Sequence, residues 1–281
     1  MPPKSISVPT RLRSKNVSIP SGPSFWRNIA LAEVVIGQRS FSQKDLGRLA
    51  ELPAEELVAE VLRLFGKRAA IGTSLQLSGS VLIDMAHKSG NPFRVFTIDT
   101  LRFHQETYSL IDTLEERYGI SIERYYPDPL RLEKMIRQHG EYLFFDSKEK
   151  QEYCCHIRKV EPHNKVLETL DAWITGLRQD QSQHREKIPP VQTISFRGRT
   201  LLKASPLAKW NEERLREYIR RFEVPYNPLF DRGYHSIGCI ICSTPIREGE
   251  HPRAGRWRWF NAVDDKKECG IHISLPRNET L

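Results

Sequence analysis

Long apolar runs are missing from this chain of 281 residues. None approaches the ~20 residues that span a bilayer, so no transmembrane helix is expected. Cysteine is scarce, with five residues at positions 154, 155, 239, 242 and 269. That is too few, and an odd number, for a disulfide-stapled secreted scaffold, and a reducing cytoplasm is the expected compartment. The opening MPPKSISVPTRLRSKNVSIPSG lacks the apolar stretch of a signal peptide. It also lacks acidic residues, which hints at an organellar transit peptide, but three early prolines and no amphipathic pattern argue against one. Residues 1–24 are read as a disordered basic tail. No internal repeat is visible, and Walker A spacing with its lysine is absent.

What is present fits a globular protein: 39% hydrophobic and 28% charged residues, enough for a sizeable core. The net charge of +8 suggests an anionic partner, whether nucleic acid, nucleotide or acidic protein, or else a solvated basic surface.

Residues 25–65 carry apolar residues at helical spacing in FWRNIALAEVVI and AEELVAEVLRLFG, with Asp45 and Pro53 near helix starts. The pattern then alternates. RAAIGTSLQ, FRVFTIDT, ISIERYYP and AWITGL read as buried strands. VLIDMAHKSG, HQETYSLIDTLEERYG, LRLEKMIRQHG and PHNKVLETL read as helices. This β-α-β-α order predicts an α/β fold, a parallel sheet with helices on both faces. TISF and TLLKASP form a predicted hairpin around Arg197–Gly198, and NEERLREYIRRFE a further helix. The α/β domain is expected over 66–246, and 247–281 as a mobile tail.

Ligands of such sheets bind at the carboxyl ends of the strands. SLQLSGS, spanning Ser74, Gln76, Ser78, Gly79 and Ser80, joins a strand to a helix and offers hydroxyls and free N–H groups to an anion; the same residues also suit plain turn chemistry. Arg178 and Arg185 share one loop and suit a bidentate clamp on a dianion, or solvent. Cys239 and Cys242 form a C-x-x-C, compatible with a redox dithiol, half a zinc site or part of an iron–sulfur site. Cys154 and Cys155 are adjacent, and a disulfide between neighbours is strained. Four thiolates in two pairs suit structural zinc or a 4Fe–4S cluster, and the adjacent pair tilts toward the cluster. Cys269 is left over, near Lys266, Lys267 and His272, where cations favour the thiolate.

CC at 154–155, C-x-x-C at 239–242 and ECGIH at 268–272, together with WITGLRQDQS, CCHIRKV, KASPLAKW and RAGRWRWF, resemble the assimilatory, thioredoxin-dependent adenylyl-sulfate (APS) reductases of the APS/PAPS reductase family, over roughly residues 65 to 273. The resemblance implies an adenine nucleotide α-hydrolase-like (Rossmann-like) core. It implies one 4Fe–4S cluster on Cys154, Cys155, Cys239 and Cys242, and SLQLSGS as the pyrophosphate-type loop. Lys159, Arg178, Arg185, Arg253, Arg256 and His272 then surround the substrate's phosphate and sulfate, and Cys269 is the nucleophile. All four cluster cysteines are present, so APS rather than PAPS is expected; some cluster-bearing relatives accept both. The usual DTGRLH is DTLRFH here, so no binding role passes to Leu101 or Phe103.

The chemistry agrees. A thiolate approaching an anionic sulfonyl group needs arginine and lysine to neutralise charge. Attack by Cys269 releases AMP and leaves an S-sulfocysteine, which separate reduced thioredoxin resolves to sulfite. No thioredoxin-like pattern is seen after the terminal motif, so a separate donor protein is expected. A homo-oligomer without nucleic-acid or membrane partners is expected. A zinc-stabilised nucleotide- or nucleic-acid-binding module is the alternative of another class, and it gives Cys269 no role.

Overall fold

A computed structural model describes residues 33–260 and residue 271. It opens with a hairpin, β1 (Val34–Ile36) against β2 (Arg39–Phe41), paired antiparallel with Val34 opposite Phe41. This departs from the helix expected through 25–65. Val-Val-Ile is β-branched, and Gly37 at φ 61 opens a two-residue turn, the local chemistry of a hairpin. Residues 25–32 lie outside the described residues. Helices follow as expected: α1 (Gln43–Glu51), with a capping box between Ser42 and Asp45, and α2 (Ala54–Phe65) after Pro53.

The main body alternates strand and helix: β3 (Ala69–Thr73), α3 (Leu77–Lys88), β4 (Arg94–Ile98), α4 (Gln105–Tyr118), β5 (Ile122–Tyr125) and α5 (Pro129–His139). Next come α6 (Lys148–Cys155), a π-helical segment (His156–Val160), α7 (Glu161–Leu167) and β6 (Ala172–Thr175). The hairpin β7 (Val191–Phe196) and β8 (Arg199–Ala204) precedes α8 (Glu212–Phe222). The sheet order is β5-β4-β3-β6-β8-β7, parallel throughout except for β7 against β8.

Strand periodicity sorts the side chains onto two faces. Ile71, Val95, Ile174 and Leu202 join the large core with α2, α3, α4 and α8. Their neighbours Ala70, Phe96, Trp173 and Leu201 join Val166 and Leu167 of α7 on the other face. Chain growth starts at β3 and runs outward through β4 to β5, then returns to β6 on the opposite side. Strand order therefore reverses between β3 and β6, and a crevice opens at their carboxyl ends.

Residues 247–260, expected within a mobile tail, fold back onto the body. Trp257 is buried, Trp259 Nε1 donates to the Phe144 carbonyl at 2.9 Å, and Ser243 bridges to Arg256. The gain from burying these aromatic rings explains the docking, which the Pro- and Gly-rich sequence hides.

Asp84 ties three helices together under the large core. Its buried carboxylate accepts from Tyr118 Oη at 3.1 Å and Tyr218 Oη at 2.7 Å, and pairs with Lys88 Nζ at 2.7 Å. Asp84→Ala strands two buried hydroxyls, so chemical denaturation is expected to show a loss of about 2–4 kcal/mol.

Candidate functional site

A cavity of ≈ 220 Å³ occupies the crevice at the ends of β3 and β6. Ser74, Gln76, Ser78 and Gly79 wall it on one side. Arg178, Asp180, Gln181 and Arg185, from the loop after β6, wall it on the other. Lys159, Arg253 and Arg256 add further cations to the lining, and Phe96, Ile98, Trp173 and His163 add aromatic and apolar surface. Ser80 is fully buried and does not line the cavity. Its hydroxyl makes no hydrogen bond, so that part of the expected loop faces the core.

The loop after β3 carries an unexpected backbone feature. Leu75, completely buried, sits at φ 57, and its N–H donates to Thr73 Oγ1 at 2.9 Å. A left-handed leucine is a costly conformation, here held by burial and that hydrogen bond. Leu101, in the loop after β4, has φ 59. The conformation suits the glycine of the DTGRLH pattern better than leucine.

The cations differ in what they present. Arg178 lines the cavity, with its fork engaged by protein partners. Its Nε and Nη2 donate to the two oxygens of Asp180 at 2.9 and 3.1 Å, and Nη1 donates to Ser78 Oγ at 2.9 Å. Arg185 donates to Gln181 Oε1. Arg253 and Arg256 both reach Ser236 Oγ, at 3.4 and 3.5 Å, and Arg256 Nε donates to the Cys242 carbonyl at 3.0 Å. Gly238 allows this approach, since a β-carbon there would lie 2.4 Å from Arg256 Nη2.

Lys159 also borders a second, smaller chamber walled by Cys154, Cys155, Cys239 and Cys242, with Arg102, Arg158, Phe144 and Trp257. All four cysteines are free thiols, so the adjacent pair forms no disulfide. α6 brings Cys154 and Cys155 to its last turn, and the π-helical segment follows at once. Gln151, Cys155 and Lys159 stand four residues apart, as do Cys154 and Arg158, so helical spacing gathers thiols and cations on one side. Gln151 Nε2 donates to Cys155 Sγ at 3.0 Å, and Thr100 Oγ1 lies 3.2 Å from Cys239 Sγ. Arg158 Nη1 donates to the Thr100 carbonyl at 2.7 Å.

The thiols are electrostatically unequal. A hydrogen bond from Cys242 holds the Cys239 thiol well below its ordinary value against burial, with help from Lys159, Thr100 and Arg256. The same contact raises Cys242. Burial raises Cys154, opposed by Arg158. Three buried cysteines and the half-buried Cys155, beside three cationic side chains, are a donor set suited to an anionic thiolate-ligated centre. Among the described residues no three His, Cys, Asp or Glu side chains converge as a single-ion site.

Sequence reasoning missed Thr100, Arg102 and Arg158 at the chamber, and Asp180, Gln181, His163 and Ser236 at the cavity. CCHIRKV and RQDQS contain several of them, but only the fold brings them together. Cys269 and His272 lie outside the described residues. Ile271, between them in the chain, lines the cavity and packs against the Phe96–Trp173 cluster.

A strand-order reversal with a cavity at its mouth is the ligand-site topology of an open α/β sheet, and the core is adenine nucleotide α-hydrolase-like. The sequence pattern of the phosphoadenosine phosphosulfate reductase domain matches residues 68–245. The chain belongs to that family. An adenosine 5'-phosphosulfate reductase of Burkholderia cepacia is 41% identical over 228 residues, 78% of this chain and 90% of that protein. The chloroplastic 5'-adenylylsulfate reductase 3 of Arabidopsis thaliana is 40% identical over 232 residues, 80% of this chain and 50% of that protein. Among solved structures, the phosphoadenylyl-sulfate (PAPS) reductase of Candida auris superposes with a TM-score of 0.61 at 27% identity, covering 74% of this chain and 99% of that one.

His163 supplies a pH signature. Its imidazole is buried against Trp173 at 4.6 Å between centroids, Nε2 has no hydrogen-bond partner, and burial pushes its pKa down to about 3. The unfolded chain takes up that proton near 6.5, while the folded chain refuses it until about 3. The contribution is complete above 6.5 and is lost as pH falls toward 3. Between pH 7 and pH 5 His163 is expected to cost about 2 kcal/mol, a loss that His163→Leu removes, read from denaturation midpoints at the two pH values.

Proposed function

We propose that this protein reduces adenylyl sulfate to sulfite and AMP with electrons from reduced thioredoxin, in assimilatory sulfate reduction. The observation that carries this is one cavity lined both by cations, Lys159, Arg178, Arg185, Arg253 and Arg256, and by the apolar Phe96, Ile98 and Trp173, bordered through Lys159 by a chamber of four thiols. An adenylyl sulfate is amphipathic in the same sense, with an apolar base and an anionic phosphosulfate.

Lys159, Arg185, Arg253 and Arg256 bind the phosphate and sulfate oxygens and disperse the charge that builds as sulfur is attacked. Cys269, two positions from the cavity-lining Ile271, supplies the thiolate, and His272 is assigned a part in binding the substrate's anion. Its sulfur bonds to the sulfate sulfur, the bond to the bridging phosphate oxygen breaks, and AMP carries away the electron pair. A thioredoxin thiolate then attacks Cys269 Sγ and releases sulfite. The second thioredoxin thiol resolves the mixed disulfide, leaving thioredoxin oxidised by two electrons and Cys269 a thiol.

Cys154, Cys155, Cys239 and Cys242 fit the role of holding a 4Fe–4S cluster, because all four wall one buried chamber beside Arg102, Arg158 and Lys159. When bound, such a cluster supplies an anionic metal centre behind the cations that face the substrate. The cytoplasm is the proposed site of action; no helix among the described residues is long and apolar enough to cross a membrane.

A PAPS-using or dual-specificity reductase is the second reading, supported by the likeness to the Candida auris enzyme. Sulfite release with reduced thioredoxin, measured for APS and PAPS in competition, separates the two. APS is expected to show the higher kcat/KM. Cys269→Ser is expected to bind APS but release no sulfite above background, and the wild type, given APS alone, to gain one SO₃ mass on the Cys269 peptide. Near-normal turnover by the serine variant would remove Cys269 from the mechanism. Iron and sulfide analysis is expected to find about four of each per chain, lowered by serine at any of the four chamber cysteines. A colourless, iron-free, active protein would refute the cluster.

A further inference from the structure

We propose that Asp180 and Arg178 are positioning residues that turn the Ser78 hydroxyl into a directed donor to the ligand's anionic group. The inference rests on the nucleotide reading of the cavity above and reassigns Arg178 from clamp to strut.

The two residues stand where strand order reverses. Ser78 lies in the first turn of α3, after β3, and Arg178 and Asp180 follow β6, the neighbouring strand. The loops are in close contact, since a β-carbon on Gly176 would lie 2.7 Å from Ser78 Cβ. Arg178 and Ser78 are 6% and 5% exposed, yet both line the cavity.

The donor inventory fixes the direction of the chain of bonds. A guanidinium has five N–H donors and no acceptor. Asp180 takes Nε and Nη2 as a parallel pair, which sets the plane and rotation of the guanidinium. Nη1 then points at Ser78 Oγ, and that oxygen must accept. The Ser78 hydrogen is left to be donated, and no acceptor for it stands among the described residues. With Oγ held by a cation and the hydroxyl on the cavity wall, its free direction is toward a ligand oxygen. A hydroxyl that accepts from a cation is a stronger donor itself, because polarisation runs along the chain. Asp180 lines the cavity too, but a carboxylate repels an anionic group, so its favourable action on the ligand runs through Arg178 and Ser78, and it also offsets the charge of Arg178 in a buried setting.

The test compares two probes, AMP and adenosine, which differ by the 5'-phosphate, by calorimetric titration of the purified full chain. Ser78→Ala and Asp180→Asn are each expected to weaken AMP binding roughly tenfold or more, in line with losing a charge-assisted hydrogen bond. Adenosine binding is expected to stay within about twofold of wild type on the same reasoning. The double variant is expected to bind AMP no worse than Ser78→Ala alone, because the favourable action of Asp180 runs through Ser78. Ser78→Thr, which keeps the hydroxyl, is expected to restore AMP binding. Additive losses in the double variant, equal losses for adenosine and AMP, or wild-type AMP affinity in Asp180→Asn each overturn the proposal. Should Asp180→Asn not fold, Ser78→Ala against Ser78→Thr still decides, with wild-type AMP affinity in the alanine variant as the refuting result. A wild-type chain that binds neither probe refutes the nucleotide reading itself, a result distinct from AMP binding that ignores Ser78.

Discussion

Parallel pairing of β3 with β6 is the constraint on which the rest of the molecule depends. The chain builds outward from β3 to β5 and then crosses back, so the pair in register from Ala69–Ala172 to Gly72–Thr175 joins two halves wound in opposite directions. Strand order reverses at this pair, so a crevice at their carboxyl ends follows from topology. Both walls of the cavity hang from this pair. Close contact between Gly176 and Ser78 keeps the walls together, and the Asp180–Arg178–Ser78 bonds span them.

The thiol chamber is built differently, from a helix and a returning chain. α6 and the π segment put Cys154, Cys155, Arg158 and Lys159 on one side by spacing alone. Cys239 and Cys242 arrive from far along the sequence, pinned by Ile240 N donating to the Arg102 carbonyl at 2.8 Å. Residues 253–259 then close over them, with Arg256 donating to the Cys242 carbonyl and Trp257 buried beside the sulfurs. Charge balance ties chamber to cavity. The Cys239 thiolate is favoured in a buried space by a hydrogen bond from Cys242 and by the nearby Lys159 and Arg256, and Lys159 also lines the cavity. A change in charge on either side of Lys159 is therefore felt on the other, with little water between to screen it.

Periodicity made the central elements legible. Short apolar runs between amphipathic stretches announced β3 to β6 and their helices, and the Arg197–Gly198 turn announced the β7–β8 hairpin, because burial of one face imposes its period on the sequence. Spacing grouped the cysteines in pairs, and motif resemblance joined the pairs. The β1–β2 hairpin was masked, since Val-Val-Ile follows alanines and leucine that continue a helical pattern until Gly37 breaks it.

What the sequence by itself determined is the alternation of elements, the basic balance and the residue types able to meet an anion or hold iron. Tertiary structure alone decided which of those residues line the cavity. Arg178 reads as a clamp in the linear string, yet its Nε and Nη2 engage Asp180 and its Nη1 reaches Ser78, 100 positions earlier in the chain. Ser80 belongs to the same motif as Ser78 but points into the core, and the region after Pro245 packs where composition suggested a trailing tail. The physical reason is common to all three: a hydrogen-bond partner or a buried face is chosen by proximity in the fold, and sequence separation carries no information about it.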